Sequence, residues 1–419
     1  MFPVKLLIIG AGGRGSGYAG YAKEFPDKAT VVGVAEPRDF YRQRLVAAHQ
    51  IPDKNVFTDW QQAAQRRRFA DAVVICTQDA MHVEPAVAFA RKGYHVMLEK
   101  PMAPNAKDCR RIVRTALARN IIFAVCHVMR YTSYTRKLKE VVDSGVIGEV
   151  VSVQHLETVG YWHQAHSFVR GNWRNEAESS PMLLAKSCHD LDWIRHLIGK
   201  RCLRVASFGN LLHFSKAGKP AAAGAATRCL DCAYEPQCPY SAKKIYLRDR
   251  VDKGAKWWPV DVLTPNVTEE SVTEALRTGP YGRCVYECDN DVVDHQVVNM
   301  LFDGGATAAF TMTAFNQAGH RKTRIFGTRG ELLGDGEKIT HFDFLTDSTE
   351  VIDTTKSDAS ILGGHGGGDF GLMQSFVHAV GTGDRSAILS GPAETLETHL
   401  MVFAAEEARH HNRVVEVRV

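Results

Sequence analysis

The chain lacks any run of about 18 consecutive apolar residues, the length a membrane-spanning helix requires, so no transmembrane helix and no membrane partner are expected. No cleavable export signal is expected either: the apolar start, Met1 to Gly10, leads straight into a glycine loop and reads as a buried first strand. Charge of one sign is scarce. The net charge is +4 over 419 residues, and basic and acidic side chains are mixed throughout. The densest basic run, Arg66-Arg67-Arg68, reads as a solvated helix face, so no nucleic-acid partner is expected. There is no internal repeat or low-complexity tail to serve as a partner-binding segment. Without an export signal the ten cysteines are expected in a reducing, cytoplasmic compartment. Cys76, Cys109, Cys126, Cys188 and Cys202 are scattered and read as small core residues.

What is present suits a globular protein of two or three domains: 45% of residues are hydrophobic and 23% charged. Val4 to Ile9 is a short apolar run of the kind that forms a buried parallel strand. It runs into Gly10-Ala11-Gly12-Gly13-Arg14-Gly15, followed by a helical stretch from Ser16 to Glu24. This is G-x-G-x-x-G with a strand before it and a helix after it. Gly10 permits the tight turn, Gly12 allows the backbone close to a pyrophosphate, and Gly15 lets helix and strand pack closely. The helix N-terminus offers unpaired N–H groups and a positive dipole end to phosphates.

A second apolar run, Thr30 to Ala35, ends at Glu36, 21 residues beyond Gly15, where a ribose-binding carboxylate belongs. A carboxylate accepts hydrogen bonds from ribose hydroxyls and repels a 2′-phosphate, which favours NAD. Arg38 keeps NADP open, since it offers a phosphate partner or a surface to stack on adenine. Further strands are expected at Ala72–Thr77, with a helix after His82, at His95–Leu98 ending in Glu99-Lys100-Pro101, and at Ile121–Cys126 ending at His127. Strands alternating with helices imply a doubly wound parallel α/β sheet, with ligands beyond the C-terminal strand ends. Thr77, Glu99, Lys100 and His127 then surround one crevice.

The Gly10–Gly15 loop, Cys76-Thr77-Gln78-Asp79-Ala80-Met81-His82, Glu99-Lys100-Pro101 and His189-Asp190-Leu191-Asp192 together resemble the glucose–fructose oxidoreductase, inositol dehydrogenase and rhizopine-catabolism (Gfo/Idh/MocA) family. The resemblance covers most of the chain and is weakest from about 215 to 282. It implies a Rossmann domain over residues 1–127. The rest, 128–419, is then an α+β domain on a large, mostly antiparallel sheet, which binds substrate, covers the crevice and pairs into homodimers or homotetramers. It implies an NAD(P)-dependent oxidoreductase of a sugar, polyol or glycoside. Gly10, Gly12, Gly13, Arg14, Gly15, Glu36, Arg38, Thr77, His82, Glu99 and Lys100 then hold the cofactor.

The same resemblance puts Lys100 beside the nicotinamide and the reacting carbon. Oxidising a hydroxyl needs a base for its proton, and an ordinary Lys, near 10.4, is a poor one at neutral pH. Burial and the positive charge of oxidised nicotinamide both disfavour the ammonium form. The family's Asp-x-x-x-His pattern is altered here: His189 and Asp192 match, but Ala185 replaces the Asp, with Lys186 beside it. Leu183–Leu197 reads as one helix with Lys186 and His189 on a common face. His189 is expected to shuttle the proton next to Lys100, with Lys186 as a ligand of the substrate hydroxyl.

Short strands are expected at Gly148–His155, Val292–Phe302, Ala306–Phe315 and Arg321–Phe326. Tyr161, Trp162, His163, Arg170, Trp173 and Arg174 form a polar-aromatic stretch suited to a sugar ring, with apolar C–H faces and hydroxyl edges. The glycine run Gly363 to Asp369 suggests a loop over substrate, with His365 and Asp369 as polar contacts. An insertion at about 215–290 holds Cys229-x-x-Cys232, then Cys238, and near its end Cys284 and Cys288. Four thiolates make a closed tetrahedral zinc site; Cys229, Cys232, Cys238 and either Cys284 or Cys288 are the expected ligands, stapling a poorly cored insertion away from the chemistry. An iron–sulfur centre uses similar ligands. Two other activities remain open: a redox-assisted glycosidase that regenerates its NAD each turnover, and a non-catalytic sugar sensor. Retention of Lys100 and His189 speaks against the sensor.

Overall fold

The computed structural model describes residues 1–355 and 366–419. The first sheet is built from β1 (Val4–Ile9), β2 (Ala29–Ala35), β3 (Val56–Phe57), β4 (Ala72–Ile75), β5 (His95–Leu98) and β6 (Phe123–Val125), all parallel, in the order β3-β2-β1-β4-β5-β6. Its central strands are apolar nearly throughout because helices cover both faces. Residues of β4 show this, with Val73 packed into one core and Val74 into another. α1 (Gly13–Glu24), α2 (Asp39–His49), α3 (Trp60–Gln65), α4 (Val83–Arg91) and α5 (Ala106–Ala118) connect these strands. Arg66 to Arg68 lie just beyond α3 rather than on its face. The order reverses between β1 and β4, which opens a crevice at their C-terminal ends.

After α6 (Ser133–Asp143), β7 (Val150–Thr158) enters a second sheet. It is followed by a helical turn, α7 (Tyr161–His163), that widens into a π-helical stretch over Gln164–Arg170. Then come α8 (Met182–Ala185), α9 (Cys188–Ile198), β8 (Cys202–Asn210), α10 (Glu269–Thr278), β9 (His295–Phe302), β10 (Thr307–Thr313), β11 (Lys322–Gly327), β12 (Gly330–Gly334), β13 (Lys338–Asp343) and β14 (Ser348–Asp353). The C-terminal part holds α11 (Gly368–Thr382), α12 (Pro392–His411) and β15 (Val415–Glu416). The nine strands run β14-β13-β12-β11-β7-β10-β9-β8-β15, and only the β7–β10 pair is parallel. Among the described residues no helix is long and apolar enough to cross a membrane.

Three differences from the sequence-based expectations bear on the site. The helix expected over Leu183–Leu197 is two helices, broken at Lys186 and Ser187. The insertion is not poorly cored: Phe214, Tyr240, Ile245, Tyr246, Val272 and Leu276 belong to a buried cluster that also takes in Ala165 and Val169 of the π-helical stretch. The C-terminal segment returns to the first domain, where Leu372, Met373 and Phe376 of α11 join the core beneath β1.

Candidate active site

The crevice begins at the loop after β1. Gly10 has φ +86°, and a Cβ there meets the Cys76 carbonyl oxygen at 2.6 Å; at Gly15 it meets the Gly10 carbonyl oxygen at 1.9 Å. Both positions therefore require glycine. No side chain caps the N-terminus of α1, so its first N–H groups face the crevice mouth unpaired within the helix. These features fit a dinucleotide pyrophosphate.

Glu36, at the end of β2, is 2% exposed. It accepts hydrogen bonds from the Ala11 N–H at 2.8 Å and from the Arg38 N–H and guanidinium at 3.0 and 2.8 Å. Burial pushes its carboxyl up, but the Arg38 hydrogen bonds and the Ala11 N–H outweigh this and hold it below the ordinary value. An ionised Glu36 suits ribose hydroxyls, while the half-exposed Arg38 guanidinium also stacks on Tyr41 at 4.2 Å. Glu36→Ala is expected to weaken NAD binding more than NADP binding, read as the ratio of the two dissociation constants. An unchanged ratio would mean that another group reads the ribose.

Arg14 is anchored rather than free in the crevice. Its Nε donates to Glu99 at 2.6 Å, and its two terminal nitrogens donate to Asp369 of α11 at 3.0 and 2.7 Å. The Tyr18 hydroxyl also donates to Glu99 at 2.9 Å. Burial raises the Glu99 carboxyl; Arg14 and Lys100 more than offset this, so it stays below its usual value. Asp369, expected at a substrate loop, thus braces the cofactor loop, and His365 lies outside the described residues. His82 is fully buried, with Nδ1 2.8 Å from the Pro101 carbonyl and Nε2 3.1 Å from the Thr77 carbonyl. It ties the loop after β4 to the turn after β5 and does not itself reach the crevice.

Lys100 leaves the end of β5 and crosses to the second domain, where its Nζ donates to the Ala185 carbonyl at 2.6 Å. That carbonyl is available because the helix breaks at Lys186. The break thus replaces the absent aspartate side chain with a backbone oxygen. Lys186 pairs with Glu157 of β7 at 2.9 Å and, like Lys100, stands close enough to His163 to push it down. Glu157 is also 2.9 Å from Arg321, which pairs in turn with Asp190, and Asp190 lies 3.1 Å from His155 Nε2. Burial acts to raise Asp190; Arg321 and His155 overcome it and hold the group well below its usual value.

His189 opens α9, 5% exposed, with its ring 5.6 Å from that of His127. Burial lowers His127 to about 3 against the pull of Asp192, and burial with Arg170 and Arg250 lowers His166 to about 3. His163 is pushed well down by burial, then by Lys186, His166 and Lys100. Neutral imidazoles of His127 and His163 therefore stand near Lys100, and that of His163 near Lys186, at neutral pH. Unfolding lets the His127 and His166 rings bind protons at about 6.5, whereas the folded protein refuses them until about 3. Their contribution to stability is complete above about pH 6.5 and declines as pH falls towards about 3. A urea midpoint that stays constant from about pH 7 to about pH 4 would contradict this burial.

Trp162 stacks on His163 and lies 5.2 Å from Trp258, and the Arg250 guanidinium sits 4.2 Å above the Trp162 ring. Trp258 is also 5.1 Å from His163. Trp173 is 37% exposed, packs on Phe168 and reaches towards Asp79 at 3.5 Å. Tyr161 accepts a hydrogen bond from Lys244 at 2.9 Å. The insertion thus adds Trp258, Arg250 and Lys244 to the aromatic wall, none of which the sequence singled out. Arg170 does not join the wall; it is buried beside Cys229, Cys232, Cys238 and Cys284, which line one cavity from which Cys288 is absent.

Comparison with known proteins agrees with this geometry. Residues 4–127 match the family model of the GFO_IDH_MocA oxidoreductases with an NAD-binding Rossmann fold, and residues 139–417 match that family's C-terminal alpha/beta domain. The Bacillus subtilis protein YteT is 25% identical over 326 residues, covering 73% of this chain and 71% of its own length. A 2,7-anhydro-N-acetylneuraminate hydratase of Mediterraneibacter gnavus is 30% identical over 218 residues, 52% of this chain and 55% of its own. The structure of a levoglucosan dehydrogenase with NADH superposes with a TM-score of 0.71 at 16% identity, covering 99% of each chain.

Proposed function

The chain belongs to the Gfo/Idh/MocA family of NAD-binding oxidoreductases, and on that premise we propose that it moves hydride between nicotinamide and a ring carbon of a sugar, polyol or glycoside. The observation that carries the substrate class is the bridge from Lys100 to the second domain, standing beside Lys186, His163 and an aromatic wall. The bound nicotinamide would supply the hydride acceptor. The chain's own residues do the rest. Lys100 takes the hydroxyl proton, and the Ala185 carbonyl holds its Nζ in place. His189 relays that proton, Lys186 fixes a neighbouring hydroxyl, and Trp162, Trp173 and Trp258 cover the apolar C–H face. Thr77 and His82 shape the loop over the cofactor. NAD is the expected cofactor, with Glu36 reading the ribose.

A second reading is favoured by one observation, the kinship with an anhydro-sugar hydratase. Oxidation of a ring hydroxyl to a ketone acidifies the adjacent C–H. A base then removes that proton, a substituent leaves, and the hydride returns to the ring, so no net NADH appears. The test is an absorbance scan for NADH over a panel of sugars, polyols and glycosides, with released aglycone assayed in the same samples. NADH without cleavage identifies the dehydrogenase, and cleavage without net NADH identifies the second reading. Neither signal across the panel, with NAD bound, would count against both.

The protein is proposed to work in the cytoplasm as a homodimer or homotetramer. Phe208 and Val297 face each other across β8 and β9 on the side of the second sheet away from its core, and Leu333 and Val351 are exposed on the same side. An apolar sheet face of this kind suits a second copy of the chain.

A further inference from the structure

Cys229, Cys232, Cys238 and Cys284 line one cavity of about 20 Å³ in the insertion. The chain brings them there from both ends of that segment. Arg228 and Arg283 form an antiparallel bridge, and the Cys284 N–H donates to the Thr227 carbonyl at 2.8 Å, which sets Cys284 beside Cys229. One short turn, Cys229–Asp231, ends at Cys232, and a second, Glu235–Gln237, ends at Cys238. Cys238 stands near enough to Cys229 and Cys284 for their charges to act on it. The Tyr240 N–H faces the Cys238 sulfur, and the Tyr286 N–H faces the Cys284 sulfur. Donors of this kind orient a ligating sulfur. Cys288 is turned away: it does not line the cavity, and its sulfur donates to the Cys284 carbonyl at 3.2 Å.

The cavity wall also carries a charge. Arg170 lines the cavity and is 1% exposed. Its Nε donates to the Arg283 carbonyl at 2.7 Å; one terminal nitrogen donates to the Tyr240 carbonyl at 2.8 Å and to Cys229 Sγ at 3.5 Å. The other terminal nitrogen has no hydrogen-bond partner. The acidic groups that act most on the guanidinium are those of Cys229, Tyr246, Cys288 and Cys238, none of them a carboxylate. Glu235, which also lines the cavity, is taken by Arg248 at 2.7 Å. A buried guanidinium without a counter-ion is strongly unfavourable. Buried thiols left to themselves stay neutral and do not relieve it. A dication among them turns them into thiolates and supplies the missing negative charge.

We propose that Cys229, Cys232, Cys238 and Cys284 bind a single zinc ion as thiolates, with Arg170 as the buried counter-charge of the dianionic site. The four thiols give up their protons to solvent as the ion binds. A closed set of four sulfur ligands suits zinc. Zinc bonds thiolate at about 2.3 Å, so tetrahedral sulfurs stand about 3.8 Å apart. Among the described residues no three of these sulfurs lie within 4.8 Å of one another. Staggered rotamers differ by about 120°, which carries a cysteine sulfur by about 3 Å, and the cavity is the space over which the sulfurs close. The ion then ties both ends of the insertion to Arg170, the last residue of the π-helical stretch, just after the turn that carries Trp162 and His163. Its role is to position that aromatic wall.

The test is metal analysis of the full-length protein, expressed with zinc present and dialysed against a weak chelator, alongside cobalt substitution of the same protein. The expected result is one zinc per chain, and with cobalt the intense visible bands of a tetrahedral tetrathiolate site. Zinc is expected to be lost in Cys232→Ser and Cys238→Ser and kept in Cys288→Ser. The cobalt spectrum is read on the natural protein, so it decides the matter even if a variant fails to fold. A protein that takes up no zinc, or cobalt bands without thiolate character, would overturn the proposal. So would zinc retained in both Cys232→Ser and Cys238→Ser. Because the readout is metal content and ligand type, it is independent of whether the substrate class above is right.

Discussion

Lys100→Ala is expected to lower turnover by about 10²–10⁴-fold, the range supplied by a positioned acid–base group, with little change in NAD affinity. The asymmetry follows from where the side chain points. On the proposed reading Gly10, Gly15 and α1 hold the pyrophosphate and Glu36 the ribose, and none of them is bonded to Lys100 Nζ. That nitrogen instead donates to Ala185 in the other domain. Its loss removes the bond to Ala185 and, on the proposed reading, the proton acceptor at the reacting carbon. Lys100→Arg keeps the charge but gives up proton transfer near neutral pH, so it is expected to be nearly as inactive. Steady-state rates together with NAD titration separate the two effects; retained activity in Lys100→Ala would remove it from the mechanism.

The largest expected loss of stability comes from Asp192→Ala. Asp192 and Arg130 are 1% and 2% exposed and are joined by two hydrogen bonds of 2.7 Å. The Thr398 hydroxyl donates to the same carboxylate at 3.0 Å. The pair joins the end of the first domain to α9 and α12. Removing the acid leaves a buried guanidinium uncompensated, at about 3–5 kcal/mol. Asp192→Asn keeps the shape and is expected to lose less. Burial raises Asp192, but Arg130 and His127 bring it down to about 2. Because the folded value lies below the unfolded one, the stabilisation is present above about pH 3.9. It is lost as pH falls through about 2. Urea unfolding of the variants at neutral pH checks the magnitude, and a loss within error of zero would show that the pair is not buried as described.

The first domain was legible because its strands are short apolar runs that end at the candidate site residues. Gly10, Glu36 and Lys100 each stand at a strand's C-terminal end, so finding the strand finds the residue. The break between α8 and α9 was not legible, since Leu183 to Leu197 has good helical character throughout. It shows only in contacts with distant parts of the chain, Lys186 with Glu157 and Lys100 with the Ala185 carbonyl. The Glu157–Arg321–Asp190–His155 network joins residues far apart in the chain, yet one local signal was present. Val153, His155 and Glu157 occupy the inward positions of β7. Two polar residues in that row of a period-two pattern mark a buried polar network. The division at 127/128 did not anticipate that α11 returns to brace Arg14 through Asp369. Trp258 carries no signal at all, because the insertion's fold brings it to His163.

The central claim is that this chain moves a hydride under the control of Lys100. The most direct measurement is a single turnover of the NAD-bound protein with a substrate deuterated at the ring carbon, the nicotinamide being analysed by mass spectrometry. In samples quenched during the turnover the account predicts deuterium on the nicotinamide of the natural protein, whether the hydride is later kept or returned, arriving about 10²–10⁴-fold more slowly in Lys100→Ala. Product formed from the deuterated substrate with no deuterium ever reaching the nicotinamide would contradict it.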